Sequence, residues 1–187
     1  MRRAVCQFCL LLVLTFADGH ALVADTYSDR RVTVGLSLFR ALLVADQDAG
    51  ARVDAAGTLP VLVLYAEDKL QADGYAETLQ QELPTIREHP TRVDSIAFEA
   101  YLARDEQAPL AIFIAERLTG SELESLVQSA IAGGVILFSP FEGDVEKGVL
   151  AGLSVQASVR PYINLKVLNE TGVSIKPFYL RVARTYE

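Results

Sequence analysis

The chain has 187 residues, of which 51% are hydrophobic and 22% charged. That composition excludes a disordered or fibrous chain and suits one domain of ordinary size. Acidic residues number 24 and basic residues 17, a formal net charge of −7. Nucleic acid is therefore a poor partner, because it requires a basic face that displaces phosphate counterions.

The N-terminus has the layout of a secretory signal peptide. Arg2 and Arg3 precede an apolar run, Ala4 to Phe16, interrupted by Gln7 and Thr15. Gly19-His20-Ala21 then offers small residues at the −3 and −1 positions of a cleavage site. The run has 13 residues, against roughly 20 for a spanning helix. The expected organisation is a leader at 1–21 and a single domain at 22–187. Cleavage removes Cys6 and Cys9, and with them any disulfide, thiol nucleophile or thiolate metal site. It leaves 15 basic and 23 acidic residues, a net charge of −8. No second apolar segment of spanning length follows, so the expected product is a soluble protein of the periplasm.

Past the leader, Ser28 is placed to cap a helix running to about Asp46. Val32, Leu36, Phe39 and Leu43 share one face at helical spacing. Leu38, Leu42 and Val44 widen that face, with Arg40 as its main interruption. Leu59 to Tyr65 is a short, continuous apolar run and reads as a buried strand. Asp68 to Leu83 reads as an amphipathic helix ended by Pro84. Thr91 to Phe98 is a weaker strand and Pro109 to Ala115 a strong one. Thr119 and Ser121 each sit three residues before a glutamate, the spacing of a capping box. The helix they open ends near Ala132, with Gly133-Gly134 as its stop. Val135 to Phe138 is the next strand. Continuous apolar strands alternating with helices predict an α/β fold: a central, mainly parallel sheet with helices on both faces, a three-layer single domain.

The last third reads differently. Ser139 to Gly148 is a polar loop. Leu150 to Val159 looks like a strand that Arg160-Pro161 interrupts. Asn164 is a helix N-cap and Gly172 the matching residue past the helix end. Pro177 opens a final helix with Tyr179, Leu180 and Val182 inward.

Catalytic and metal constellations are sparse. His89 stands alone between Glu88 and Pro90. Without a second histidine or a cysteine, a transition-metal site has little to use. Ser139 precedes Pro140 and stands in no G-x-S-x-G elbow. Gly133-Gly134 precedes a strand, whereas a phosphate loop follows one. The distinctive segment is the 139–148 loop, expected at the carboxyl edge of the sheet, where ligands bind. Glu142, Asp144 and Glu146 alternate there, a spacing at which three oxygens can touch a Ca²⁺ ion. The alternative is a solvated acidic turn in which Gly143 and Gly148 supply positive φ.

The stretch from Pro109 onward resembles the YfiR/HmsC-like family of small periplasmic proteins. The likeness is carried by Ala111-Ile-Phe-Ile-Ala and its helix, by Val135-Ile-Leu-Phe with the acidic loop after it, and by the tail. That tail runs Ile163-Asn164-Leu165, then Gly172, then Leu180-x-x-Ala183-Arg184. Departures are Pro161 with Tyr162 beside the Ile, and a first helix without the family's Lys and Trp. The resemblance implies a non-enzymatic regulator with no cofactor. It would bind the periplasmic domain of an inner-membrane diguanylate cyclase and hold it inactive, linking the envelope to cyclic-di-GMP and biofilm behaviour, as a homodimer. Redox sensing does not carry over, since the members that sense redox do so through cysteines and the chain past the expected leader has none.

The expected contact joins the first helix, through Phe39, Arg40 and Leu43, to the loop, through Phe141, Glu142, Asp144 and Glu146. Asn164 and Gly172 are expected to be structural. Replacing Asn164 with Ala is expected to cost about 1 kcal/mol, a lost N-cap. The alternative function is a small-ligand or ion-binding module using the 139–148 loop.

Overall fold

A computed structural model describes the backbone of residues 19–187 and the side chains from residue 30. The expected leader and its cleavage site fall outside the fully described residues. Helix α1 spans Gly19–Ala45 and begins before Ser28, where the capping argument placed its start. A short 3₁₀ turn follows at Ala49–Arg52. Then come β1 (Leu59–Tyr65), α2 (Lys69–Glu82), β2 (Thr85–Ile86), β3 (His89–Ala97), α3 (Phe98–Ala103) and β4 (Ala111–Ile114). The remainder is α4 (Gly120–Gly133), β5 (Ile136–Ser139), β6 (Ala151–Val155), β7 (Val159–Asn164), α5 (Leu165–Thr171), α6 (Pro177–Val182) and β8 (Arg184–Tyr186).

The strands form one sheet in the order β2-β3-β1-β4-β5-β6-β7-β8. From β3 to β6 the pairing is parallel throughout. The β2–β3 and β6–β7 pairs are antiparallel. The chain moves outward from β1 to β3, then crosses back to β4. With right-handed crossovers this reversal puts α2 on one face and α3 and α4 on the other. The expected α/β architecture is thus the observed one.

Local chemistry accounts for several element ends. The Asp68 carboxylate accepts the Gln71 N–H at the start of α2. Of the two candidate caps for α4, Thr119 is the one used, in a reciprocal capping box with Glu122. Gly134 ends that helix at φ 63°. The largest fully buried side chains among the described residues lie under α1, where Phe39, Phe113 and Phe138 meet with ring centroids 5.5–5.7 Å apart.

Two readings of the last third are corrected. The segment 150–159 is not one strand broken at Arg160-Pro161. The chain turns at Gln156–Ser158, and Pro161 lies inside β7 opposite Leu153. A proline is accommodated there because β8 reaches only as far as Tyr162, so one side of Pro161 has no ladder to interrupt. Val182 is exposed, whereas Tyr179 is buried with its hydroxyl donating to the Leu38 carbonyl. Burial pushes the Tyr179 phenol well above its ordinary pKa.

Candidate functional site

A doubly wound sheet of this order places its ordinary ligand crevice at the carboxyl ends of β1 and β4, where the winding reverses. Here the chain fills that position itself. The Glu116 carboxylate accepts the backbone N–H groups of Glu67 and Asp68, the latter at 2.7 Å. Those amides precede α2, where the helix dipole favours an anion. A carboxylate of the protein is already bound to them.

The open cleft lies further along the same edge, beyond β5, with a volume of about 260 Å³. Its walls are the 141–146 loop, the outer end of the β6–β7 hairpin, Arg31 of α1 and Arg184 of β8. The loop is held by its own polar groups. Ser139 Oγ donates to the Asp144 carboxylate at 2.6 Å and accepts the Phe141 N–H. Asn164 Nδ2 donates to the Val145 carbonyl at 2.9 Å. Gly143 and Gly148 carry φ of 86° and 108°, as a tight turn requires. Arg31 Nε donates to the Pro140 carbonyl, tying α1 to the loop.

Tyr162 forms the inner wall. Burial raises its phenol pKa, and the neighbouring Glu146 carboxylate adds to the rise, while Arg184 opposes it. The Arg184 guanidinium lies 4.9 Å from the Tyr162 ring centroid and donates to Ser154 Oγ. Just outside the cleft a shallow apolar hollow is lined by Val34, Leu153, Val155 and Val159 between Arg30 and Arg31.

The structure separates the residues expected to form the contact. Phe39 and Leu43 are fully buried, so they belong to the core and cannot be touched. The extra apolar width of α1 is taken up within the fold only in part: Leu42 is fully buried and Leu38 half-buried near Tyr179, while Val44 is exposed. Arg40 is held by Glu82 of α2 at 2.7 Å. Phe141 is buried beneath the Arg117 guanidinium, 5.1 Å from its ring centroid, and is not a free anchor. Asp144 points inward to Ser139, with Lys147 Nζ at 3.9 Å. Of the loop residues expected in the contact, only Glu142 and Glu146 face solvent, and both line the cleft.

The loop's three carboxylates therefore do not converge. No group of three or more His, Cys, Asp or Glu suited to a metal occurs among the described residues. His89 opens β3 and is half-buried. Asn164 and Gly172 cap α5, the former through its Oδ1 on the Val167 N–H and the latter at φ 66°. Reading along the chain missed Arg31, Val155 and Tyr162. Arg184 was in view as the last residue of the tail motif, but without a place.

No family model matches the chain, and no curated protein matches it. Solved structures match at the level of fold. One is the ABC domain in complex with L-Trp from Streptococcus pneumonia, 13% identical, with a TM-score of 0.50, covering 76% of this chain and 61% of that one. Another is a conserved domain protein from Vibrio cholerae O1 biovar El Tor, 14% identical, with a TM-score of 0.52, covering 73% of this chain and 57% of that one. The chain thus spans about three fifths of the length of these structures. At such identities the likeness defines a class, the doubly wound α/β domain. No helix among the described residues is long and apolar enough to cross a membrane.

Proposed function

We propose that this chain is a binding module without catalytic function, a periplasmic regulator of an inner-membrane signalling protein. Its partner is the periplasmic domain of a diguanylate cyclase or a similar sensor, which it holds inactive. The family resemblance of the tail motif supplies the partner class. The observation that carries the reading is the joined surface at the carboxyl edge. There the Glu142/Glu146 cleft opens beside Val155 and Val159, which are 48% and 46% exposed. Apolar side chains ringed by opposite charges supply both affinity and partner choice. A fold hosts many functions, so the doubly wound sheet adds no weight of its own.

Cyclic-di-GMP measured in cells tests the reading. Deleting the gene is expected to raise it. Complementation with Glu142→Lys or Val155→Asp, each melting like the wild type, is expected to leave it raised. A level unchanged by deletion would refute the regulator. The polar lining of the same cleft favours a second reading, a small-ligand binder, for which deletion would leave cyclic-di-GMP unaltered.

A further inference from the structure

The outer end of the β6–β7 hairpin presents an open strand edge. β5 accompanies β6 only through Phe138–Ala151 and Ser139–Gly152. β7 accompanies it as far as Val155. Among the described residues, β6 beyond Gly152 therefore has a neighbouring strand on one side alone.

The direction of its peptide groups follows from parity. The Asn164 N–H donates to the Leu150 carbonyl, and the Gln156 N–H donates to the Ser158 carbonyl. In an antiparallel pair such bonded positions recur at every second residue. Residues 150, 152, 154 and 156 thus face β7. The peptide groups of Leu153 and Val155 face the opposite side, which β5 has vacated. That side is the cleft.

The two faces of this edge differ in chemistry. Leu153 and Val155 lie opposite Pro161 and Val159, beside Val34 and Arg30 of α1. Ser154 lies opposite Arg160 on the other face, near Gln156 and Arg184. One face is apolar and the other is polar and basic. Arg30, Arg31, Arg160 and Arg184 make no ion pair among the described residues, whereas Arg40, Arg52, Arg92 and Arg104 each do. Glu142 and Glu146 offset part of this charge within the cleft. The remainder is a local cationic surplus in a chain of net charge −7.

We infer that the free edge of β6 takes a strand from a partner protein, by strand addition at Leu153–Val155. The occupant is an extended segment of alternating apolar and acidic residues. Successive side chains of a strand point to opposite faces. Alternation therefore delivers the apolar set to Val34, Val155 and Val159, and the carboxylates to Arg160 and Arg184. Main-chain hydrogen bonds supply affinity in this mode and the alternate side chains supply selection. Three edge residues accommodate about 10 Å of strand. The inference deepens the proposed function and rests on its reading of the chain as a protein-binding module.

The test uses the full chain and a fluorescein-labelled octapeptide of alternating Val and Glu, read by fluorescence anisotropy. Binding is expected, weakening as salt is raised. A Val/Lys octapeptide is expected to bind at least tenfold more weakly. Two Val/Glu peptides are N-methylated at alternate residues in opposite phases, and one of the two is expected to lose at least tenfold. Val155→Pro removes an N–H that faces the cleft and not β7, so it is expected to abolish binding while melting as the wild type does. If that variant unfolds, the N-methylated pair decides alone. Arg160→Glu is expected to weaken the Val/Glu peptide and improve the Val/Lys one. Failure of the Val/Glu peptide to bind, or equal binding of both N-methylated peptides, would overturn the inference. So would a dimer in sedimentation that Val155→Pro dissociates, since the occupant would then be a second copy. The two proposals fail separately. Deletion that raises cyclic-di-GMP, with no peptide binding, removes the strand and keeps the regulator. Peptide binding with no effect of deletion does the reverse.

Discussion

Asn164 is the residue at which the site and the fold share one side chain, and its removal is the sharpest test of how the cleft is held. Its Oδ1 accepts the Val167 N–H at 3.1 Å, and its Nδ2 donates to the Val145 carbonyl at 2.9 Å. The residue is 3% exposed, so water does not replace either bond. Losing the cap costs about 1 kcal/mol. Stranding the buried Val145 carbonyl adds about 1–3 kcal/mol. Asn164→Ala is therefore expected to cost about 2–4 kcal/mol, more than the cap alone. In a domain of this size that lowers Tm by roughly 4–16 °C. Asn164→Asp separates the two parts, because it keeps the cap acceptor and loses the donor to Val145. It is expected to retain helix α5 and to loosen the 141–146 loop. Denaturation by calorimetry and urea gives the free energies, and hydrogen exchange of the loop amides locates the effect. A Tm for Asn164→Ala within about 2 °C of the wild type, less than the lost cap alone implies, would refute the reasoning.

Gly152→Ala places a Cβ 2.7 Å from the Ser139 carbonyl oxygen and 2.8 Å from Val145 Cγ2, where backbone cannot give way. It is expected to cost about 1–3 kcal/mol in thermal denaturation. Gln80 covers the edge of β3 like a short strand, its Oε1 accepting the Val93 N–H at 2.9 Å and its Nε2 donating to the Thr91 carbonyl at 3.3 Å. Gln80→Ala is expected to bare that edge and make sedimentation concentration-dependent. On acidification, hydrogen bonds from Thr58 hold Asp54 below its ordinary pKa, Lys69 does so for Asp73 and Thr119 for Glu122. Their stabilisation is present above the unfolded values of 3.8 to 4.5 and is lost as pH falls through the folded ones. Tm is thus expected to drop below about pH 4.5, and Glu122→Gln to make the drop shallower. Asp46, raised chiefly by burial, works in the opposite sense.

What was legible along the chain follows how locally each feature is encoded. Leu59–Tyr65, Thr119 with Glu122, Gly134 and Asn164 are decided within a few residues, by apolar continuity or by caps. The 156–158 turn carries no glycine and no proline, so Arg160-Pro161 drew attention away from it. Phe39 and Leu43 were legible as an apolar face, but what covers that face was not, because the rings that meet Phe39, those of Phe113 and Phe138, come 74 and 99 residues later. The cleft is the least local feature. Arg31, Tyr162 and Arg184 meet only because α1, β7 and β8 converge, and no spacing announces that. Glu116 against Glu67 and Asp68 is another such pairing, set by the neighbouring ends of β1 and β4.

The same long-range placements explain why binding is argued at the far flank of the sheet and not at its winding reversal. The reversal crevice owes its usual chemistry to free amides before a helix, and here Glu116 holds them. The opening beyond β5 has a different origin. Pro140 follows Ser139 and has no N–H with which to extend the ladder. Phe141, which does have one, donates it to Ser139 Oγ and not to β6. Asp144 receives the Ser139 hydroxyl, and Asn164 holds Val145, so the loop folds back on itself before it can cover the strand. β6 meanwhile continues, because its partner on the other side is β7. A free edge so made is a hazard unless it is short or charged. This one is three residues long and has Arg30, Arg31, Arg160 and Arg184 around it, none of them in an ion pair among the described residues. Those two properties discourage a second identical chain, which would bring the same positive charges. They leave the edge suited to a strand of opposite charge.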